Sequence, residues 1–221
     1  MNQSVFITGA ARGIGKAIAD ACEARGDRVF RGTRETANIT DFAHVENAMN
    51  EFGKGGLDVV IANAGIAPTG LLATADPKDL RSAIETNVLG PLHCARAALP
   101  LMMAQRKGLI VFIGSVAASR PARGQAAYAT SKSGVESLTR AVAVEYGRKG
   151  IRAICLRPGA VDTDLMRATK SLAENEILER IPLKRMASAE EIAKSVLLFL
   201  GEDASYVNGA VIDIDGGYAA G

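Results

Sequence analysis

Short apolar runs alternate along the chain with segments whose apolar residues recur at helical spacing. The six runs lie at Val5–Ile7, Arg28–Arg31, Val59–Ala62, Leu109–Ile113, Arg152–Leu156 and Ala210–Ile214. Parallel strands need a crossover to reach their neighbours, so strands that alternate with helices predict a parallel sheet with helices on both faces. No repeat or linker interrupts the pattern. We therefore expect one doubly wound α/β domain over residues 1–221.

Two helical patterns are well delimited. Ser188-Ala189-Glu190-Glu191 has the sequence of a capping box and precedes the apolar segment Ile192–Leu200. A longer helical pattern covers Ala129–Tyr146. With 221 residues and 48% apolar composition, the chain is long and apolar enough to bury one full core.

A glycine-rich segment, Thr8–Gly15, follows the first apolar run and precedes the first helical pattern. In this context Gly9 permits a sharp turn, Gly13 lets a diphosphate approach the backbone, and Gly15 allows close packing of helix on strand. The spacing is Gly-x3-Gly-x-Gly, which differs from the common dinucleotide fingerprint. Ala17 stands where a P-loop needs a hydroxyl for Mg²⁺, so a P-loop is excluded. A tight turn without a ligand is the alternative interpretation.

A phenol and an ammonium group lie four residues apart at Tyr128 and Lys132, and Ser115 follows an apolar strand. Residues i and i+4 share one face of a helix. A cation about 4 Å from a phenol favours the phenolate by roughly 4 kcal/mol at an effective dielectric near 20. Such a phenol can donate a proton to a developing alkoxide, so the pair predicts carbonyl/alcohol chemistry. A packed tyrosine beside a solvated lysine is the alternative.

Composition narrows the possible functions. The net charge is +2 and no long basic run occurs, so nothing indicates nucleic-acid binding. No apolar stretch of about 18 residues predicts a membrane span, and the first strand begins too early for a signal peptide. Three cysteines without a C-x-x-C pair predict buried thiols in the cytoplasm, and two histidines leave little material for a zinc site or a Ser–His triad. Ala117 also excludes a nucleophile elbow around Ser115.

Taken together, these residues resemble the short-chain dehydrogenase/reductase family, which implies a Rossmann-like sheet of about seven strands. The matching positions, in the family's order, are Thr8-Gly9-x3-Gly13-Ile14-Gly15, Asn63-Ala64-Gly65, Asn87, Ser115, Tyr128-x3-Lys132 and Pro158-Gly159 with Thr163. The stretches Gly124–Tyr128 and Ser205–Gly217 are most similar to the branch of 3-oxoacyl-acyl-carrier-protein reductases.

The resemblance implies a role for each site residue. Tyr128 is the proton donor or acceptor, Lys132 stabilises the phenolate and binds the nicotinamide ribose, Ser115 orients the substrate carbonyl, and Asn87 holds a water behind Lys132. No metal is implied. The implied cofactor-binding residues are Gly9, Arg12, Gly13, Ile14, Gly15, Thr33, Arg34, Asn38, Asn63, Ala64, Gly65, Tyr128, Lys132, Pro158, Gly159, Val161 and Thr163.

The residues after the second strand bear on the choice of cofactor. Thr33 stands where the family's ribose-binding acid is expected, Arg34 follows it, and Arg12 adds a second cation. Arginine holds phosphate through paired hydrogen bonds, so these cations favour NADP(H). Glu35 is the objection, because it lies about twenty residues beyond Gly15, where the general fingerprint places an acid. NADP(H) is therefore preferred, and NAD(H) stays open.

This adenosine side departs from the family's pattern. Almost nothing remains between Arg34 and Asn38, where family members usually carry a further helix. Asn38 stands where an adenine-contacting Asp is usual, and Ala62 replaces the first Asn of the common Asn-Asn-Ala-Gly. The adenine contacts are therefore the least transferable part of the resemblance.

The implied reaction is the NADPH-dependent reduction of a 3-oxoacyl thioester carried by acyl carrier protein. Another secondary alcohol, such as a sugar, a steroid or a secondary-metabolite ketone, is an alternative substrate. A nucleotide-binding regulator is a third hypothesis, although it would not need the four catalytic residues. The charged segment within 164–187 is expected to be a substrate lid, with a solvated surface helix as the alternative.

Partners follow from the same resemblance. The basic pairs Arg106-Lys107 and Arg148-Lys149 are candidates for docking an acidic carrier protein, with ordinary solvated side chains as the favoured interpretation of such pairs. The family forms homodimers and homotetramers, and apolar faces of Val88–Met103 and Val135–Val144 are candidates for the interface. Burial inside the monomer would use the same faces.

Overall fold

The protein is described here by a computed structural model that covers residues 2–163 and 174–221. Part of the predicted lid, residues 164–173, lies outside the described residues. Within them, six parallel strands form one sheet in the order β2-β1-β3-β4-β5-β6. The strands are β1 (Ser4–Thr8), β2 (Arg28–Gly32), β3 (Val59–Ala62), β4 (Gly108–Ile113), β5 (Ile151–Pro158) and β6 (Val211–Ile214). Each predicted apolar run is a strand, and the predicted α/β fold is confirmed.

Helices cover both faces of this sheet. They are α1 (Gly13–Ala24), α2 (Phe42–Gly53), α3 (Pro77–Ile84), α4 (Gly90–Gln105), α5 (Ala126–Tyr146), α6 (Glu174–Arg180) and α7 (Ala189–Leu200). A five-residue π-helical turn, Glu85–Leu89, joins α3 to α4. No helix within residues 2–163 or 174–221 is long and apolar enough to span a membrane.

Two apolar cores explain why the strands are apolar at almost every position. On β1, Val5 and Ile7 belong to the core beneath α1 and α7, whereas Phe6 belongs to the core beneath α2, α4 and α5. All three side chains are fully buried. Side chains alternate between the faces of a strand, so a sheet covered on both faces needs apolar residues at successive positions.

The strand order places the site. The chain leaves β1 for β2 on one side and returns to build β3 on the other side of β1. Ligands of open parallel sheets bind outside the carboxyl ends of the strands, at the point where the winding direction reverses. That point lies between β1 and β3, directly beside the glycine segment that follows β1.

The starts of α7 and α5 show how well local sequence signals predict where a helix begins. The capping box is confirmed, because Ser188 Oγ accepts from the Glu191 amide at 3.2 Å and Glu191 Oε2 accepts from the Ser188 amide at 2.9 Å. Helix α5 begins at Ala126, three residues before the predicted start at Ala129. Its N-cap residue, Gln125, makes no side-chain capping bond, so the sequence carried no signal there. The earlier start puts Tyr128 inside the helix.

Candidate active site

The glycine segment after β1 adopts a conformation that only glycine tolerates well. Gly9 has φ +68° and Gly13 has φ +55°, both in the left-handed region. A Cβ on Gly15 would lie 2.2 Å from the Gly9 carbonyl oxygen, so helix α1 could not approach β1 with any side chain at that position. At Gly13, by contrast, the nearest atom to such a Cβ is 3.6 Å away. The backbone of Gly13 is therefore open to a close ligand beside the N-terminus of α1.

Thr8 and Asn63 fasten this segment to the end of β3. Asn63 Nδ2 donates to the carbonyls of Thr8 and Gly9 at 3.0 and 3.2 Å. Thr8 Oγ1 accepts from the amides of Asn63 and Ala64 at 3.1 and 3.2 Å. The side-chain amide nitrogen of Asn63 thus holds the glycine turn in place. Sequence reasoning did not assign the hydroxyl of Thr8 a role.

The segment after β5 forms the opposite wall of the cleft. The Thr163 methyl carbon is the atom nearest to the Cβ position of Gly13, which brings the two predicted cofactor segments together. The Gly159 amide donates to the Ile214 carbonyl at 3.0 Å, and Val161 is buried and bridges to Ala187. The cradle has no side chain at Gly13 and offers the free amides of a helix N-terminus, so it fits the diphosphate of a dinucleotide.

The predicted pair of Tyr128 and Lys132 lies on one face of α5. Lys132 is only 5% exposed, and its Nζ lies 5.9 Å from the centre of the Tyr128 ring. The same Nζ donates to the Ile113 carbonyl, at the end of β4, at 2.8 Å. Ser115 lies two residues further on and caps a short turn, with its Oγ accepting from the Ala117 amide at 3.2 Å. The structure therefore brings the phenol, the ammonium group and the serine to one end of β4.

Asn87 is fully buried in the π-helical turn behind this pair. Its Oδ1 accepts from the Ile66 amide at 2.9 Å, and its Nδ2 donates to the Ile66 carbonyl at 2.7 Å. Nδ2 also donates to Ser131 Oγ at 2.9 Å, and Ser131 in turn donates to the Tyr128 carbonyl at 2.7 Å. The side-chain amide of Asn87 thus connects the backbone after β3 with helix α5. Ser131 was missed, because its position inside Tyr-x3-Lys gives no signal for a hydroxyl.

The adenosine side is a short exposed turn after β2. Thr33 Oγ1 donates to Glu35 Oε2 at 2.6 Å, and this hydrogen bond is the main reason why the pKa of Glu35 is lowered. Asn38 Oδ1 accepts from the amide and hydroxyl of Thr40 at 3.3 and 3.0 Å. The oxygen of Asn38 is therefore used by its own turn.

Arg12 and Arg34, on the adenosine side, differ in their side-chain contacts from Arg31 nearby. Arg31 pairs with Asp20 and Glu23 on α1, and these carboxylates raise its pKa. Arg12 and Arg34 are exposed, and no side-chain hydrogen bond or ion pair to either is found within residues 2–163 and 174–221. Their guanidinium groups are consequently available to an anion.

A pocket of about 160 Å³ lies beside helix α5. It is bounded by the first turn of α5, at Ala126 and Ala127, and by the segment that leads into α3. Leu72 supplies an apolar wall and is 64% exposed, while Asp76 and Asp79 lie on the rim. This pocket is separate from the dinucleotide cradle and adjoins the residue that precedes Tyr128.

Comparison with known proteins identifies relatives of the whole chain. Residues 30–219 match the family described as enoyl-(acyl carrier protein) reductase. The 2-(R)-hydroxypropyl-CoM dehydrogenase of Xanthobacter autotrophicus is 36% identical, with all of both chains covered. The 3-oxoacyl-[acyl-carrier-protein] reductase MabA of Mycobacterium tuberculosis is 34% identical over 100% of this chain and 94% of its own.

Solved structures give the same result. The 3-ketoacyl-(acyl-carrier-protein) reductase of Brucella melitensis, complexed with NADH, superposes with a TM-score of 0.92 at 25% identity and covers 98% of each chain. ElxO with NADP bound has a TM-score of 0.92 at 28% identity and covers 100% of both chains. The chain therefore belongs to the short-chain dehydrogenase/reductase family of oxidoreductases that act on CH–OH groups.

Proposed function

We propose that this protein is an NADPH-dependent reductase that converts 3-oxoacyl thioesters into 3-hydroxyacyl thioesters. One observation carries the proposal: Tyr128, Lys132 and Ser115 meet at the end of β4, beside a glycine cradle that fits a dinucleotide. The relatives named 3-oxoacyl-[acyl-carrier-protein] reductase, at 32–34% identity, support the substrate class.

The proposed chemistry needs a proton and two hydrogen-bond donors at one oxygen. A bound nicotinamide supplies the hydride to the carbonyl carbon. Tyr128 donates its phenolic proton to the oxygen as negative charge grows there, and Ser115 Oγ donates a hydrogen bond to the same oxygen. Lys132 Nζ, held by the Ile113 carbonyl, lies beside the phenol and would bind the ribose of the cofactor. Asn87 keeps the backbone at Ile66 in place behind this cation.

In this proposal the glycine cradle would hold the diphosphate of the cofactor, and the Pro158–Thr163 wall would hold its nicotinamide end. Arg12 and Arg34 would bind the 2′-phosphate of NADP(H), because both are exposed cations with no side-chain hydrogen bond or ion pair in the described part of the chain. The ionised Glu35 opposes this preference, since a second anion beside a phosphate is repelled. Initial rates measured side by side with NADPH and NADH test the preference. Equal or higher rates with NADH would contradict it.

Docking of an acyl carrier protein is a separate proposal with its own geometry. The basic pairs Arg106-Lys107 and Arg148-Lys149 come together, since a Cβ on Gly150 would lie 2.1 Å from the Arg106 carbonyl. They lie at the amino ends of β4 and β5, however, and the six residues of β4 put them about 20 Å from Ser115. Lys107 also pairs with Glu202 at 3.8 Å. A carrier bound there would have to reach the site with a long arm or serve a neighbouring subunit.

Charge neutralisation tests this docking proposal. Replacing Arg106 and Arg148 by Gln should raise KM for a carrier-linked substrate at low salt and leave KM for the matching coenzyme A thioester unchanged. If both substrates behave alike, the carrier does not dock on these residues.

A homodimer or homotetramer is also proposed. Leu89 and Leu92 on the α3–α4 side and Val144 near the end of α5 are exposed, by 41%, 39% and 83%. Leu99, by contrast, is buried in the monomer and does not contribute to such a face. Sedimentation velocity of the protein and of the Leu92→Lys variant tests the proposal. A monomer at micromolar concentration would contradict it.

The substrate class is tested with a panel followed by NADPH absorbance. The panel contains acetoacetyl thioesters, the matching 2-enoyl thioesters, small ketones and a 2-oxopropyl thioether. Preference for the acetoacetyl thioesters supports the proposal. Preference for the thioether would favour a second function, the one suggested by the dehydrogenase at 36% identity. Turnover of none of them, with tight cofactor binding, would favour the non-catalytic regulator.

A further inference from the structure

Arg157 is a partly buried cation on β5, directly before the Pro158–Gly159 turn. Its Nε and Nη2 donate to the two carboxylate oxygens of Asp213 on β6, the latter at 2.7 Å. Its Nη1 donates to Glu136 on α5 at 3.2 Å. The side chains of Arg157 and Glu136 are each only 14% exposed. One guanidinium group therefore connects two strands with the helix that carries Tyr128 and Lys132.

The aliphatic part of Arg157 lies against the residue that precedes the catalytic serine. A Cβ on Gly114 would lie 3.2 Å from Arg157 Cγ and 2.7 Å from Cys155 Sγ. The Gly114 amide donates to the Leu156 carbonyl at 2.8 Å. Because Gly114 has no side chain, the arginine can pass over the end of β4 beside Ser115.

Glu136 stands one helical turn beyond Lys132, so Tyr128, Lys132 and Glu136 follow each other at intervals of four residues on α5. The charges of Glu136, Lys132 and Arg157 also affect the pKa of the buried thiol of Cys155. Burial and the charge of Glu136 raise its pKa, Lys132 and Arg157 oppose the rise, and the resulting pKa is about 11. The three charged groups therefore lie close enough to this one thiol to act on it.

We propose that Arg157 is a positioning residue for the hydride-transfer site. Through Glu136 and Asp213 it fixes the distance and angle between α5 and the end of β4, and hence between Tyr128 and Ser115. The inference rests on the roles proposed above for Tyr128, Lys132 and Ser115. A guanidinium that pairs with both oxygens of a carboxylate fixes geometry in a way that a point charge does not. Small displacements of reacting groups are costly, at about 10²-fold in rate for 1 Å.

Two substitutions separate the guanidinium from the packing of its stem. Arg157→Met keeps the aliphatic chain over Gly114 and removes all three hydrogen bonds. Glu136→Gln keeps the shape of the side chain that Arg157 contacts and removes only its charge. Arg152→Met is the matched control, because Arg152 is the other arginine inside β5, near its amino end, and donates to the carbonyls of Ala204 and Val207 at 2.8 and 3.0 Å.

The measurements are the thermal unfolding midpoint, NADPH binding by fluorescence titration, and kcat and KM with an acetoacetyl thioester. The titration gives the concentration of cofactor-binding sites, so kcat refers to folded protein. Arg157→Met should lower kcat by about 10- to 100-fold while the Kd for NADPH stays within about threefold. Glu136→Gln should lower kcat by about three- to tenfold. The kcat of the variant that carries both Arg157→Met and Glu136→Gln should be at most about twofold below that of Arg157→Met, because the two substitutions remove the same contact. Arg152→Met should keep kcat within twofold.

Unchanged kcat in Arg157→Met, an equal loss in Arg152→Met, or multiplying losses in the double variant would overturn the inference. If Arg157→Met does not fold, Glu136→Gln decides, and an unchanged kcat there overturns it. Tyr128→Phe in the same assay distinguishes failure of the positioning role from failure of the proposed function. An inactive Tyr128→Phe with a normal Arg157→Met rejects only the positioning role, whereas a normal Tyr128→Phe, or no turnover by the unchanged protein, rejects the proposed function and this inference with it.

Discussion

The two halves of the nucleotide cleft are held together in different ways. One half contains Tyr128 and Lys132, and we call it the catalytic half after the roles proposed above. Its hydrogen bonds join residues that are 19, 21 and 44 positions apart, and they involve the buried side chains of Lys132 and Asn87. On the adenosine side, Thr33, Glu35 and Asn38 bond to residues two to six positions away, and the turn is largely exposed. A change in the catalytic half therefore disturbs several elements, whereas a change in the adenosine half stays local. The catalytic half should consequently tolerate substitution far less.

The sharpest way to break the catalytic half is Tyr128→Phe. The ring remains and the proton donor is lost, so kcat should fall by about 10²–10⁴ while NADPH binding changes by less than about threefold. Stopped-flow or steady-state absorbance measures the rate, and fluorescence titration measures binding. Tyr146→Phe, at the other end of α5, is the control and should keep full activity. More than a tenth of the original rate in Tyr128→Phe would show that another group donates the proton.

Lys132→Ala should damage rate and binding together. It removes the cation beside the phenol and leaves the Ile113 carbonyl without its donor. We expect kcat to fall on the order of 10²–10³ and NADPH affinity to fall about tenfold, since a charged hydrogen bond contributes about 1.5–3 kcal/mol. Lys16→Ala, which removes an exposed lysine paired with Asp20, serves as the control. Intact NADPH binding in Lys132→Ala would argue against a contact with the ribose.

Asn87→Ala tests whether long-range hydrogen bonds set the rate. The substitution leaves the Ile66 amide and carbonyl without partners, at a cost of about 1–3 kcal/mol for each group. We expect a lower free energy of unfolding in urea and a kcat reduced by about tenfold. Asn208→Ala is a matched control, because Asn208 also bonds the main chain, at Ala153, but near the amino end of β5. Equal effects of the two variants on kcat would contradict the comparison.

The adenosine half should show the smallest effects. Arg34→Ala should lower the ratio of kcat/KM for NADPH over NADH by about three- to tenfold, because an exposed cation–phosphate contact contributes about 1 kcal/mol. Glu35→Gln should raise the same ratio by about twofold, since it removes a charge that repels the phosphate. Thermal unfolding should change little in either variant. A ratio that is unchanged in both would show that this turn does not select the cofactor.

The same contrast explains what the sequence could predict. The strands, the glycine turn and the pair on α5 follow from apolar runs and from spacings of a few residues, and the structure has them in place. The basic pairs at 106–107 and 148–149 each precede a strand, so their position at the far edge of the sheet was already implied by chain direction. The start of α5 has no comparable local signal, because Gln125 makes no side-chain capping bond.

Contacts between distant parts of the chain could not be predicted. The glycine motif contains Thr8 but does not indicate what its hydroxyl binds, and no local pattern marks Ser131 or Arg157. Each acts through partners on other elements or through the main chain. The hydrogen bonds of Asn63 could not be predicted for the same reason: its side-chain amide holds the glycine turn, which becomes visible only when β1 and β3 are adjacent. Spacing along a chain indicates which residues share a face, but not which groups already have partners.

The π-helical turn at Glu85–Leu89 makes the site sensitive to chain length as well as to side chains. A π-helical turn holds about one residue more than an α-helical turn, so removing one residue here would close the chain into an α-helical turn and rotate the side chains within it. Asn87 would then face away from Ile66 and Ser131, although every side chain used in the chemistry would still be encoded. A single-codon deletion here should therefore be more harmful than most replacements at the same positions.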